Sequence, residues 1–142
     1  MSRFLPLTDD FAVSPQISAD DVRAAAEQGY QHIICNRPDG EDDGQPDFAE
    51  ISKVAVSLGM SAHHIPFDNT TLSGAVIDTM QNTLGSLDGP VLAYCRSGTR
   101  CSIAWSALQR RDGQSFEAIE SATGAAGYAL ANQRDLIDAI AQ

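Results

Sequence analysis

Pro90-Val91-Leu92-Ala93-Tyr94-Cys95-Arg96-Ser97-Gly98-Thr99-Arg100-Cys101-Ser102-Ile103-Ala104-Trp105 is the stretch on which the fold turns. Residues 90–94 form a short apolar, partly β-branched and aromatic run behind the turn signal Asp88-Gly89, which predicts a buried strand. From Ser102 the pattern becomes helical: Ile103, Ala104, Ala107 and Leu108 share one stripe, and Asp112-Gly113 stops it. Between strand and helix lies a tight loop with Cys95 first, Arg100 last and Gly98 inside. Such a junction aims backbone N–H groups and the positive end of the helix dipole at one point. A thiolate there is stabilised and becomes nucleophilic near neutral pH. The loop residues Arg96, Ser97, Gly98 and Thr99, with the Arg100 guanidinium, are the expected cradle for an anionic substrate. Gly98 supplies the backbone twist that turns N–H groups inward.

Working outward, the chain alternates strands and helices. Residues 11–15 read as a first strand stopped by Pro15, and Ser18 caps a helix that Gly29 ends, with Val22, Ala25 and Ala26 inward. Residues 32–35 are a second strand, breaking into an acidic loop rich in glycine and proline that runs to Pro46. Asp47 opens a helix with Phe48, Ile51, Val54, Ala55 and Leu58 on one face. Residues 63–67 are a third strand, and Ser73 caps a helix carrying Val76, Ile77, Met80 and Leu84 inward. Two further helical stretches, about residues 115–123 and 127–141, follow the helix behind the cysteine loop. The alternation means βαβ units, hence α/β class with a mostly parallel central sheet of about four strands flanked by helices. Cys95 is expected at the carboxyl end of a central strand. Ligands in such folds sit beyond the carboxyl ends of the strands, which brings together the loops 36–46, 67–72 and 96–100. On that ground Asn36 and Arg37 are candidate substrate-facing residues.

The 142 residues fit one domain with a single core, residues 1–142. Net charge is −10, with one lysine and eight arginines, which argues against nucleic acid or an anionic membrane as a partner. Two of those arginines, Arg96 and Arg100, fall within the one loop. Cys35, Cys95 and Cys101 make no disulfide framework and no zinc-type pair, and the adjacent His63-His64 point to opposite sides of a strand. No metal or cofactor is expected. The start, residues 1–7, is too short and too soon followed by Asp9-Asp10 for a secretory signal, and no apolar run is long enough to span a membrane. Free thiols without an export signal are expected in the cytoplasm.

The order Ile65-Pro66-Phe67-Asp68-Asn69, a helix, then residues 89–100 resembles the dual-specificity protein tyrosine phosphatases. With Asn36-Arg37-Pro38-Asp39-Gly40 and Gln45-Pro46 it is more closely similar to the bacterial DUF442 family, the phosphatase-like domain of beta-lactamase hydrolase-like proteins. That resemblance implies a phosphatase-like three-layer αβα fold. It also implies that Cys95 is a nucleophile, Arg100 the anion-holding arginine and Asp68 a general acid. Three features depart from the phosphatase pattern: four residues rather than five separate Cys95 from Arg100, Tyr94 replaces a histidine, and Cys101 replaces a hydroxyl residue.

The four-residue spacing resembles that of the rhodaneses, and a shorter loop encloses a smaller cradle. A phosphoryl transition state spreads charge over three equatorial oxygens and asks for a full ring of donors. A sulfane sulfur needs less room. The sequence reading therefore places sulfur transfer through a Cys95 persulfide first, and a phosphatase with a Cys95 phosphocysteine second. A thiol redox protein or an anion-binding module comes third. The substrate is a small anion (thiosulfate, a persulfide or a phosphate ester), and the resemblance implies a partnership with a sulfur dioxygenase or another sulfide-oxidising enzyme.

Overall fold

A computed structural model describes residues 4–142, so Met1 to Arg3, part of the start read above as lacking a signal, lie outside the described residues. Among these residues five strands form one sheet: β1 (Leu5–Pro6), β2 (Phe11–Ser14), β3 (His32–Cys35), β4 (Ser61–His64) and β5 (Val91–Tyr94), in the order β1-β2-β5-β3-β4. β2, β5, β3 and β4 run parallel, and the two-residue β1 pairs antiparallel with β2. β5 is therefore central. Tyr94 pairs with Ser14 on one side and Cys35 on the other, so three strands end level and their following loops open on the same side.

Among the described residues six α-helices flank the sheet: α1 (Ala19–Glu27), α2 (Phe48–Ser57), α3 (Gly74–Gly85), α4 (Thr99–Arg111), α5 (Phe116–Ala125) and α6 (Arg134–Ala141). Side chains of β5 alternate between two cores, as strand geometry requires. Leu92 and Tyr94 pack with Val22, Ala25, Ile51 and Ala55 of α1 and α2. Val91, Ala93 and Cys95 face Ile77, Met80, Ala104, Ile119 and Ile137 of α3 to α6. This is a three-layer αβα arrangement. The expected helix stripes hold at Val22, Ala25, Ile51, Ala55, Ile77 and Met80, whereas Leu58 is exposed and Met60 takes the buried place past the end of α2.

α4 is buried from Cys101 to Leu108, far beyond one stripe, because α3, α5 and α6 all pack around it. Each large apolar side chain so enclosed contributes about 1.5–3 kcal/mol. The N-terminus of α4 is thus fixed to the sheet by its own core. Two boundaries differ from expectation. The third parallel strand is Ser61–His64 rather than residues 63–67: the Ile65 amide still donates to Cys35 O at 2.8 Å, but Pro66 has no N–H with which to continue a regular ladder. The last expected helix is split: a 3₁₀ turn at Ala131–Gln133 precedes α6. Among the described residues no helix is long and apolar enough to cross a membrane.

Candidate active site

Cys95 follows β5 directly and is fully buried, its amide donating to Ser14 O at 3.3 Å. The Gly98 amide donates to its Sγ at 3.1 Å. The Cys95 pKa is lowered to about 6, first by the Cys101 thiol hydrogen-bonded to it and then by the N–H groups of Cys101, Gly98 and Ser97, all against the opposing effect of burial. Cys101 thus fills the place of the missing hydroxyl residue. Its own thiol, enclosed and beside a thiolate, is pushed well up and stays a donor. Burial pushes Cys35 up to about 11 as well. Cys95 is the one thiol of the three that ionises near neutral pH.

Gly98 caps α4 with φ +94°, a left-handed conformation that a side chain would resist. Its carbonyl accepts from the Ser102 amide at 3.0 Å and the Ser102 hydroxyl at 2.8 Å, and Ser106 Oγ donates to Ser102 O at 2.7 Å. This ladder of buried hydroxyls holds the loop to its helix. Ser97 and Thr99 hydroxyls bond each other at 3.1 Å on the exposed side.

Arg100 lies opposite, and its guanidinium is read by two other loops. Nη1 donates to Glu41 Oε2 at 2.9 Å and Phe67 O at 3.0 Å, and Nη2 donates to Glu41 Oε1 at 2.7 Å. The three loops grouped from the sequence do meet here. A guanidinium has five N–H donors in two usable edges. Glu41 takes the Nη1–Nη2 edge in the two-pronged manner, which leaves Nε–H and one Nη2–H for an anion. Glu41 is held below the usual carboxylate range by Arg100 first and Arg37 second, and so stays charged.

The remaining candidates are placed differently. Asp68 Oδ1 accepts from the Thr70 amide (2.8 Å) and hydroxyl (2.7 Å) and from the Thr71 amide (3.1 Å). It caps its own turn, and the Thr70 hydroxyl foremost among these bonds holds its pKa down. A general acid wants the opposite shift. Asp68 nonetheless lines a depression of about 180 Å³ together with Glu41, Asn69 and Arg100. Asn36 is fully buried, its Nδ2 donating to Ile65 O at 2.9 Å, so it fastens the end of β4 rather than facing solvent. Arg37 is 3% exposed, and each of its three nitrogens donates to a neighbour: Nε to Glu41, Nη1 to Gln16 and Nη2 to Asp42. Both were candidate substrate contacts, and both sit beneath the surface: Glu41 and Asp42 of the acidic loop fold back over Arg37, while the Asn36 side-chain amide turns inward to Ile65 O and Met80 Sδ of α3. Arg96 is 65% exposed and pairs with Asp42 at 3.4 Å. Tyr94 points into the α1–α2 core near Cys35, away from the site.

Sequence reasoning passed over two residues that shape this site, Glu41 and Tyr128. Glu41 lies in a run of Glu41-Asp42-Asp43 that reads as a solvated loop. Its signal was the company of Arg37 and Arg100 at the same end of the sheet. Tyr128 reaches the loop from beyond α5, where no local pattern marks it.

Residues 3–112 match the family described as "Beta-lactamase hydrolase-like protein, phosphatase-like domain". A beta-lactamase hydrolase-like protein from Xylella fastidiosa (strain 9a5c) is 30% identical over 129 residues, 90% of this chain and 30% of the relative. The chain therefore spans about 30% of the length of the curated relatives it matches. A crystal structure of a candidate phosphatase from Neisseria meningitidis Z2491 is 35% identical, with a TM-score of 0.89 over 99% of both chains. A candidate DUF442 phosphatase from Shewanella putrefaciens CN-32 is 17% identical, with a TM-score of 0.77 over 97% of this chain and 90% of that one, and shares the fold alone. The architecture is that of the protein tyrosine phosphatases.

Proposed function

Because the chain belongs to the phosphatase-like domain family of beta-lactamase hydrolase-like proteins, we propose that it is a cysteine-dependent phosphatase acting through a Cys95 phosphocysteine. The observation that carries this reading is the pairing, on one loop, of a thiol with a pKa near 6 and a guanidinium with one edge open. The Cys95 thiolate attacks phosphorus, an S–P bond forms, and the P–O bond to the leaving group breaks with its electron pair on oxygen. Water then attacks phosphorus, the S–P bond breaks, and inorganic phosphate leaves as the thiolate returns. Nε–H and Nη2–H of Arg100 hold two equatorial oxygens, and loop N–H groups take the third.

Leaving-group chemistry narrows the substrate. Glu41 and Asp68 are the carboxylates at the mouth, and both are held in the charged form. Neither is poised to give a proton near pH 7. A site so built favours leaving groups that depart as stable anions, such as aryl phosphates and phosphoanhydrides, over alkyl esters.

Sulfur transfer, placed first from the sequence, becomes the second reading, since the family and the 35%-identical structure carry phosphatase descriptions. It keeps one specific support, the four residues between Cys95 and Arg100. There Cys95 would take the outer sulfur of thiosulfate as a persulfide, expelling sulfite. Partnership with a sulfur-oxidising enzyme belongs to this reading alone. Parallel assays with an aryl phosphate, an inorganic phosphoanhydride, an alkyl phosphate and thiosulfate with cyanide separate the two. The phosphatase reading expects turnover in the first two, a far slower third and none in the fourth. Thiosulfate turnover without aryl phosphate turnover would reverse the assignment.

A further inference from the structure

Tyr128 approaches the cysteine loop from outside the segment that the family description covers, residues 3–112. Its hydroxyl donates to Ser97 O at 2.9 Å. That carbonyl and the Gly98 N–H belong to the same peptide unit, and in a planar trans peptide they point in opposite directions. On the far side, the Gly98 N–H donates to Cys95 Sγ at 3.1 Å. One line of contacts thus runs from phenol through a peptide to sulfur. The packing is tight from the Tyr128 side: a Cβ at residue 98 would overlap the Tyr128 hydroxyl, so glycine is needed there for the phenol as well as for φ +94°.

We propose that Tyr128 is a positioning residue of the site, which fixes the Ser97–Gly98 peptide with its N–H aimed at Cys95. Without the hydroxyl this peptide is free to rotate its carbonyl inward, which would put a negative dipole where the thiolate and the incoming anion need a positive one. Donation to the carbonyl also polarises the peptide and strengthens the N–H on its other side. The phenol stays protonated for this task, since burial and then the neighbouring Cys95 charge push its pKa up. Tyr128 is anchored in turn: its amide donates to Thr123 O at 2.8 Å, and its ring packs against the α3–α6 core.

The test is Tyr128→Phe in the full chain, which keeps the ring and removes the oxygen. Iodoacetamide alkylation of Cys95 against pH is read first because it needs no substrate. The expected result is a midpoint raised by about half a unit or more, the scale of one hydrogen bond between neutral groups. Aryl phosphate kinetics are read second, and only this arm rests on the phosphatase reading. They should show kcat down roughly three- to ten-fold with KM within two-fold, because the cradle acts on the transition state. An unshifted alkylation midpoint would overturn the proposal. Wild-type protein inert to aryl phosphate would instead sink the phosphatase reading, and the alkylation arm would still decide Tyr128. Amide exchange of Gly98 in the wild type gives a further measurement, independent of how the variant folds: slow exchange is expected, and exchange at the rate of an exposed loop amide would also overturn it.

Discussion

Replacing Cys101 by alanine or by serine separates a donor from a mere neighbour. Cys95 sits at about 6 instead of an ordinary thiol value of 9.0, a difference of about 3 units or roughly 4 kcal/mol in favour of the thiolate. Four donors share that gain: the Cys101 thiol, which contributes most, and the amides of Cys101, Gly98 and Ser97. Burial works against them. A hydrogen bond to a charged group is worth about 1.5–3 kcal/mol, so Cys101→Ala should raise the Cys95 midpoint by roughly one to two units. At pH 6.5 the thiolate fraction would then fall from about three-quarters to roughly a tenth. Cys101→Ser keeps a donor of similar size in place and should leave the midpoint within about half a unit. Alkylation rate against pH on both variants reads this directly, with thermal unfolding to show that each is folded. A Cys101→Ala midpoint still near 6 would refute the donor role and leave the amides to hold the thiolate alone.

Three further outcomes follow from the same geometry. The acid limb of kcat/KM for an aryl phosphate should fall off below about pH 6, since the depressed Cys95 pKa means the thiolate is present above it and lost as pH drops through it; a limb centred near 8 would contradict this. Glu41→Gln should raise KM for phosphate substrates several-fold, because the pair that orients Arg100 loses its charge and one prong becomes an NH2 that cannot accept from the guanidinium, while Phe67 O still holds Nη1; an unchanged KM would show that Arg100 needs no such hold. Asp68→Asn keeps an oxygen that can accept the Thr70 and Thr71 bonds and should slow aryl phosphate turnover no more than a few-fold; a loss of 100-fold or more, the scale of general acid catalysis, would make Asp68 the proton donor.

Much of the fold was legible because the chain's punctuation agrees with its periodicity. The turn at Asp88-Gly89, the apolar run of β5 and the glycine in the loop all favour one strand–loop–helix junction, and β5 is central as expected. The meeting of three loops followed from the parallel order of the strands. β1 went unseen because two residues carry no period. The extent of α4 burial was hidden for a different reason: Ser102 and Ser106 look like solvent positions, yet they bond to carbonyls one turn back inside the core. At the site, Cys95 and Arg100 announced themselves by type and spacing. Glu41 did not, since an acidic loop in an acidic chain reads as a solubility feature until a guanidinium is seen against it. Asn36 and Arg37 end a strand on the correct side of the sheet, but a strand end alone does not say that one side chain turns into the core and the other is covered by a folded-back loop. The lean toward sulfur transfer came from the four-residue spacing of the loop and from the resembled family's association with sulfide oxidation, and neither of these counts the donors that converge on the loop.

The covalent intermediate tests the central claim most directly. Wild-type protein mixed with an aryl phosphate, quenched with denaturant within one turnover and examined by mass spectrometry should carry one phosphoryl group on the peptide that contains Cys95. The same experiment with thiosulfate should leave that peptide unchanged. A single added sulfur from thiosulfate, with no phosphoryl adduct from any phosphate substrate, would contradict the phosphatase account.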